Sequence, residues 1–460
     1  MPREKLPLES LPAWMSLNNA TFSHVEVKTI PDKGHGLVAQ AKSAEIGLSP
    51  LITVPRDLLL NAGAVEEYAK ADRNFRALLD ACGHKAALSS QAHELGGLST
   101  PWTEYIKILD DHVPVPILWI EEERALLRGT SLEPALNAKM LALAREFDEI
   151  REKSSDIERW RNAFWDNNNP IQLVDWYRLD AWYRSRVLEL PRSGPSMVPC
   201  IDMANHSTEA NAYYEETPQD EVVLLLRPGS QVDSKDEITI SYGSDKPAAE
   251  MLFSYGFLDA SSGACCLTLP LDTLPDDPLG RAKAHIFTGT PSIQVKEVDG
   301  EMEYTSPFAF LVCLNEEDGL EFKILQSSDG GRELRMFWQD SDVTEQAASF
   351  ETLIADHPLR DVFRLRVNMV ISQRLEEQLQ QLYESEEAGV VDEVSSFNAI
   401  NARMLKRIEK GALERTSAAL EDQRNKLLAE ESVTTYLASM QAGAESNDTQ
   451  EEDPSENDFS

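Results

Sequence analysis

An asparagine beside a histidine, Asn205-His206, and a tyrosine closing a strand-like run, Tyr242 in ITISYG, are the residues of this 460-residue chain that most invite chemistry. Neither is a nucleophile paired with its base. The amide and imidazole offer hydrogen bonds in both directions, and a phenol offers a dipole that can orient a reacting group. Tyr255 and Phe257, in SYGF, follow closely and are suited to wall an apolar channel. Taken alone, Tyr242 reads first as a strand-end tyrosine packing a core edge. Upstream, Gly34-His35-Gly36-Leu37-Val38-Ala39 fits the letters G-x-G-x-x-A of a dinucleotide fingerprint. The continuation LVAQAKS reads as a strand, whereas that fingerprint needs a helix N-terminus to hold a pyrophosphate. What remains is a turn without Cβ atoms at Gly34 and Gly36, open to a ligand that carries no phosphate.

Asn-His-Ser also spells a glycosylation acceptor, which requires secretion, and the opening MPREKLPLESLPAW holds no signal-peptide run. The sequence contains no GxSxG, HExxH or P-loop pattern, and no His/Cys/Asp/Glu set has metal-ligand spacing, so no metal is expected.

The elements that must position these residues come in alternating blocks. SHVEVKTIP alternates apolar and polar residues as a half-buried strand does, a Pro-Asp-Lys-Gly turn follows, and LVAQAKS and PLITVPRDLL continue the strand pattern. From about residue 65 to 175 the chain turns helical, with Leu136, Met140, Leu143, Phe147 and Ile150 at helical spacing. Strand signals return in SMVPCIDMANHS, EVVLLLRP and DEITISYG. Beyond Ala260 the expectation is helix, led by an apolar stripe from Leu359 to Leu382 and a second from Ala399 to Leu428. The end, GAESNDTQEEDPSENDFS, has too few apolar residues to offset its ordering entropy and is expected to be a disordered acidic tail.

The formal charge of −36 argues against nucleic acid and anionic membrane as partners and fits a basic one. Five cysteines without knuckle or disulfide spacing, and no apolar run of membrane-spanning length, point to a cytoplasmic or nuclear protein. The sequence sets no oligomeric state.

In order, GHGLVA, VPCIDMANHS, ITISYG and LFSYGF, interrupted by a helical stretch, resemble the SET-domain methyltransferases. The likeness is to the branch of the plant Rubisco large-subunit lysine methyltransferase. Ser99-Thr100-Pro101-Trp102-Thr103-Glu104-Tyr105 resembles that branch's S-x-W-x-x-Y segment, and Trp119-Ile120-Glu121-Glu122-Glu123 with Gly129-Thr130 its W-x-E-E and G-T stretch. Ser185-Arg186-Val187 resembles S-R-x-F without the phenylalanine. The resemblance implies an α+β fold: a SET β-fold in two parts (21–64 and 176–260) around a helical insertion (65–175). An all-helical substrate-binding domain (261–440) and the tail (441–460) follow.

It further implies S-adenosyl-L-methionine as cofactor, held by Gly34, His35, Gly36, Leu37, Glu94, Arg186, Asp202, Asn205, His206 and Tyr242, with Asp202 open also to a structural capping role. Tyr242 is implied as the catalytic group, with Tyr255 and Phe257 as walls of a lysine channel. A further channel tyrosine falls at Tyr213 or Tyr214, Tyr214 being preferred.

The implied reaction is methyl transfer to a protein lysine, on a substrate that the acidic surface suggests is lysine-rich. A lysine ammonium loses its proton near pH 10.4, so presenting the neutral amine at pH 7 costs about 4–5 kcal/mol, which a dry aromatic channel reduces by disfavouring the charge. Two alternatives stay open on the same fold: histidine methylation, which a relative in the branch performs on actin, and a non-catalytic interaction module.

Overall fold

The computed structural model describes residues 5–31, 33–92, 100–166, 168, 170–243, 246–258, 266–326, 331–387 and 396–448. The chain divides into two compact units. The first comprises Met1–Leu126, Leu132–Gly263 and Val394–Ala402; the second comprises Leu127–Ser131, Ala264–Glu393 and Arg403–Ser460.

Two four-stranded sheets carry the first unit. VEVKTI and GHGLVA form the strands Val25–Ile30 and Gly34–Ala39, an antiparallel hairpin in which Val27 faces Leu37 and Ile30 faces Gly34. Gly34–Ala39 pairs next with Glu237–Ile240, which pairs in parallel with Asn205–His206, setting Thr239 opposite Asn205 and Ile240 opposite His206. Parallel neighbours cannot be joined by a tight turn, so the intervening chain must leave the sheet and return. It does so as Ala212–Glu216 and Val222–Leu226, two strands of the other sheet, whose order continues through Ile52–Val54 to Thr21–Phe22. This crossover brings Asn205-His206 beside the end of ITISYG.

Helices fill the stretch between the two strand-rich parts, from Ala62–Ala71 to Leu173–Arg186. Leu136, Leu143, Phe147 and Ile150 are buried along one face of Leu132–Ser155, as their spacing requires. Phe75, Trp160 and Phe164 anchor a core that belongs to the insertion itself.

The second unit departs from the all-helical expectation. Two three-stranded antiparallel sheets come first: Cys266–Pro270, Ser292–Val298 and Glu301–Thr305, then Leu320–Gln326, Arg332–Trp338 and Ser341–Asp342. The reason is legible in SIQVKEV-DG-EMEYT. Asp299 and Gly300 both take positive φ, 52° and 86°, the two-residue Asp-Gly turn that twists correctly for a hairpin. Helices dominate only later, in Arg360–Glu387, Phe397–Leu428 and Glu431–Asp448. Val362, Phe363, Val367, Ile371, Leu375 and Leu382 of the first stripe are buried, so it is a packing face. The last helix runs past residue 440 to Asp448, so the first part of the expected tail is helical; the remainder of that expectation lies outside the described residues.

Candidate active site

The parallel strand pair builds the site. With Ile240 opposite His206, the chain leaving the strand at Tyr242 lies beside the imidazole. The Tyr242 backbone N–H donates to His206 Nδ1 at 3.1 Å, which leaves the ring's proton to Nε2. The Tyr242 hydroxyl donates to the carbonyl of Ala204 at 2.8 Å. That hydroxyl's proton is therefore committed, and its lone pairs remain for a group in front of it. Burial holds the Tyr242 phenol far above its usual range, so it stays neutral.

Three further rings gather around it: Tyr255 with centroids 4.5 Å apart, His206 at 5.2 Å, and Phe257, 6.1 Å from His206. Tyr255 ends the helix Ala248–Tyr255, and Gly256 turns the chain back at φ 83°. A Cβ there would stand 2.5 Å from the Pro114 carbonyl carbon and oxygen, so only glycine permits both the turn and the approach that set Tyr255 and Phe257 side by side.

Asn205 is held from behind. Its Nδ2 donates to Glu237 Oε1 at 2.8 Å, and Lys33 Nζ pairs with the other Glu237 oxygen at 2.7 Å. Gly36 is the reason this fits, since a Cβ would lie 2.7 Å from Asn205 Nδ2 and 2.6 Å from Ile30 Cγ1.

Asp202 sits deeper, 7% exposed. One carboxylate oxygen accepts a short hydrogen bond from the Tyr105 hydroxyl, which itself accepts from the Cys200 N–H at 2.7 Å. Burial pushes the Asp202 carboxyl up, and Arg186 and Tyr105 oppose that rise. Arg186 Nη1 donates to the Asp202 carbonyl at 3.1 Å and stands 3.6 Å from its second carboxylate oxygen. That oxygen, Arg186 Nε and His35 Nδ1 are buried without a hydrogen-bond partner among the described residues. Burial also holds the His35 imidazole below its usual range, against the pull of Asp110.

These groups line one cavity of about 750 Å³, within the size range of small-molecule sites. Nine of the anticipated residues border it: Gly34, His35, Arg186, Asp202, Asn205, His206, Tyr242, Tyr255 and Phe257. Gly36 and Leu37 stand behind the wall; Leu37 is fully buried in the sheet between Val27 and Ile238. Tyr214 does not border the cavity either; burial raises its phenol above the usual range, and Tyr255 adds to that rise. Glu94 lies outside the described residues. Lys33, Asp110, His112 and Phe397 border the cavity without having been anticipated. Lys33 carried a signal in its position one residue before GHG; Asp110 and Phe397 carried none, because only the folded chain brings them here. Among the described residues no group of three His, Cys, Asp or Glu side chains is placed to hold a metal ion.

The first unit is a split β-fold with a helical insertion, its cavity lying at the one parallel pair among the described strands, and this is the arrangement of the SET fold. Comparison with solved structures agrees: the SET domain of the Rubisco large-subunit methyltransferase bound to lysine and S-adenosylhomocysteine superposes with a TM-score of 0.67 at 18% identity, covering 91% of this chain and 92% of that one. The same enzyme bound to S-adenosylmethionine gives 0.65 at 19% identity, with the same coverage of both chains.

Among curated proteins, SET domain-containing protein 8 of Schizosaccharomyces pombe is 28% identical over 75% of this chain and 79% of its own length. The chloroplastic Rubisco large-subunit N-methyltransferase of Nicotiana tabacum is 25% identical over 60% of this chain and 56% of its own. The N-lysine methyltransferase setd6 of Salmo salar is 25% identical over 55% and 58%. The chain thus spans a little over half the length of these two methyltransferases. No family model matches it. The chain has the SET fold and resembles the SET-domain methyltransferases of the Rubisco large-subunit methyltransferase-like branch.

Proposed function

We propose that the protein is an S-adenosylmethionine-dependent protein-lysine N-methyltransferase with Tyr242 at its centre. The observation that carries this reading is the Tyr242 hydroxyl, its proton fixed on the Ala204 carbonyl and its oxygen set among Tyr255, His206 and Phe257.

The cavity fits the cofactor. S-adenosylmethionine carries an amino group, a carboxylate, ribose hydroxyls and a purine, and the wall offers both unpaired donors and unpaired acceptors at His35, Arg186 and Asp202. When bound, the cofactor supplies a methyl group activated by a neighbouring sulfonium. Asn205, held by Glu237, and the Asp202-Arg186 pair hold its polar parts. The aromatic wall disfavours an ammonium and so presents the substrate amine neutral. Burial raises the phenols of both Tyr242 and Tyr255, so neither becomes an anion that would stabilise the ammonium. Tyr242 then orients the amine nitrogen for in-line attack, and alignment of this kind supplies a large part of the acceleration.

A lysine-rich protein substrate suits a chain of charge −36, since complementary charge speeds encounter. Free thiols at Cys82, Cys200 and Cys313 suit a cytoplasmic or nuclear location. Among the described residues no helix is long and apolar enough to cross a membrane.

Incubation with radiolabelled S-adenosylmethionine and a cell extract tests the reading. The expected result is a labelled protein band whose hydrolysate contains methyllysine. Methylhistidine in its place would move the activity to the alternative acceptor, and no labelled band together with no cofactor binding would leave an interaction module.

A further inference from the structure

Phe397 borders the cavity from a point about 140 residues beyond SYGF in the sequence, and it remains 44% exposed. An exposed apolar side chain is common on its own, but one that lines a cavity offers its face to whatever enters. Here the side chains on either side of Phe397 are the ones held. Ser396 Oγ donates to Glu123 Oε1 at 2.6 Å, and Asn398 Nδ2 donates to Glu123 Oε2 at 2.8 Å. Glu123 is 8% exposed, and both its oxygens are spent on the residues that flank Phe397. Ser396 Oγ also accepts from the Ala399 N–H at 3.2 Å, as a helix cap does. One turn later Asn401, 4% exposed, accepts from the Leu258 N–H at 3.0 Å, tying this turn to the residue that follows Phe257. Residues 394–402 accordingly belong to the first unit, whereas the helix from Arg403 onward belongs to the second.

We infer that Phe397 is a cofactor-binding residue that covers the purine of S-adenosylmethionine, and that Glu123 is the positioning residue that holds it there. The inference rests on the proposed function. The choice of the purine follows from how the two partners divide. The lining includes the polar side chains of His35, Asp110, Arg186 and Asp202 and, near Phe397 through the Leu258–Asn401 bond and the Gly256–Pro114 approach, the apolar Leu258 and Pro114. The cofactor likewise has charged and hydroxylated parts and a single flat ring with an apolar face. Charged parts suit the first set, and the ring suits the second. Glu123 belongs to the WIEEE run, whose acidic residues otherwise have no part in the site.

Calorimetric titration with S-adenosylhomocysteine, which keeps the purine and lacks the methyl group, is the test. Wild type binds. Phe397→Ala binds at least about tenfold more weakly, since an aromatic contact and its burial together are worth ~1.4 kcal/mol or more. Phe397→Tyr restores most of the affinity. Asn398→Ala loosens the turn and weakens binding, and in combination with Phe397→Ala adds no further loss of affinity. Phe397→Ala with wild-type affinity for S-adenosylhomocysteine overturns the inference while leaving the proposed function intact. So does a Phe397→Ala defect confined to the KM of a lysine peptide. Failure of the wild type to bind overturns both.

Discussion

Lys283 in the second unit and Asp202 in the first are both ionisable and both buried, at 1% and 7% exposure. Their surroundings differ. Lys283 Nζ donates to Asp277 at 2.5 Å and to the carbonyls of Val312 and Leu314 at 3.1 and 2.6 Å, which uses all three of its protons. Asp202 satisfies one oxygen through Tyr105, while the other stands 3.6 Å from Arg186 Nη1 and, like Arg186 Nε, has no hydrogen-bond partner among the described residues. An ion whose bonds are all made within the chain is finished as structure. A cluster that still has bonds to make, at the edge of a cavity, is finished by what enters the cavity. Trp176 Nε1 and Asn368 Oδ1 likewise lack a hydrogen-bond partner among the described residues and do not line this cavity, so it is the open bond together with its place at the cavity that marks Asp202 and Arg186.

The largest effect that would break this contrast belongs to Lys283. Lys283→Met leaves the Asp277 carboxylate and two carbonyls without their partner, and denaturant unfolding is expected to show a loss of about 3–5 kcal/mol. S-adenosylhomocysteine affinity of the folded protein stays at the wild-type value. Lowered affinity would mean that Lys283 serves the site as well.

Next in size is Glu409, the buried carboxyl that accepts from both the N–H and the hydroxyl of Ser131. Burial raises it to about 7. Between pH 4.5 and 7 the native state keeps a proton that the unfolded chain has released, so this group's contribution to stability falls by about 3 kcal/mol as pH rises through that window. Glu409→Gln removes that slope; a wild-type slope in the variant would show that the titration belongs elsewhere.

Asn205→Ala is the smaller test on the other side of the comparison. It removes the side chain that the proposed function sets against the cofactor and leaves Glu237 with Lys33, so S-adenosylhomocysteine should bind about tenfold more weakly with little change in melting temperature. Unchanged affinity would make Asn205 part of the scaffold.

Legibility in the sequence followed the range of the interaction. The strand before Pro31, the buried stripe of Leu132–Ser155 and the run ending at Tyr242 are local patterns that occur where their periodicity places them, whereas GHG, expected as a glycine turn, is itself the start of the strand Gly34–Ala39. The hairpin at Asp299-Gly300 was equally local, but the long stripes of Arg360–Glu387 and Phe397–Leu428 dominate the eye and led to an all-helical expectation. Asp110 and Phe397 reach the cavity only through tertiary contacts, and no spacing in the chain announces them. Leu37 shows the converse: it lies inside a conspicuous motif, and its side chain serves the sheet.

Tyr242→Phe tests the central claim most directly. It keeps the ring among Tyr255, His206 and Phe257 and removes only the oxygen held by Ala204. The account predicts that S-adenosylhomocysteine affinity changes by less than about threefold, while methyl transfer to protein lysines falls by about 100-fold or more, the scale of losing a preorganised dipole at a reacting centre. Transfer by Tyr242→Phe at the wild-type rate would contradict it.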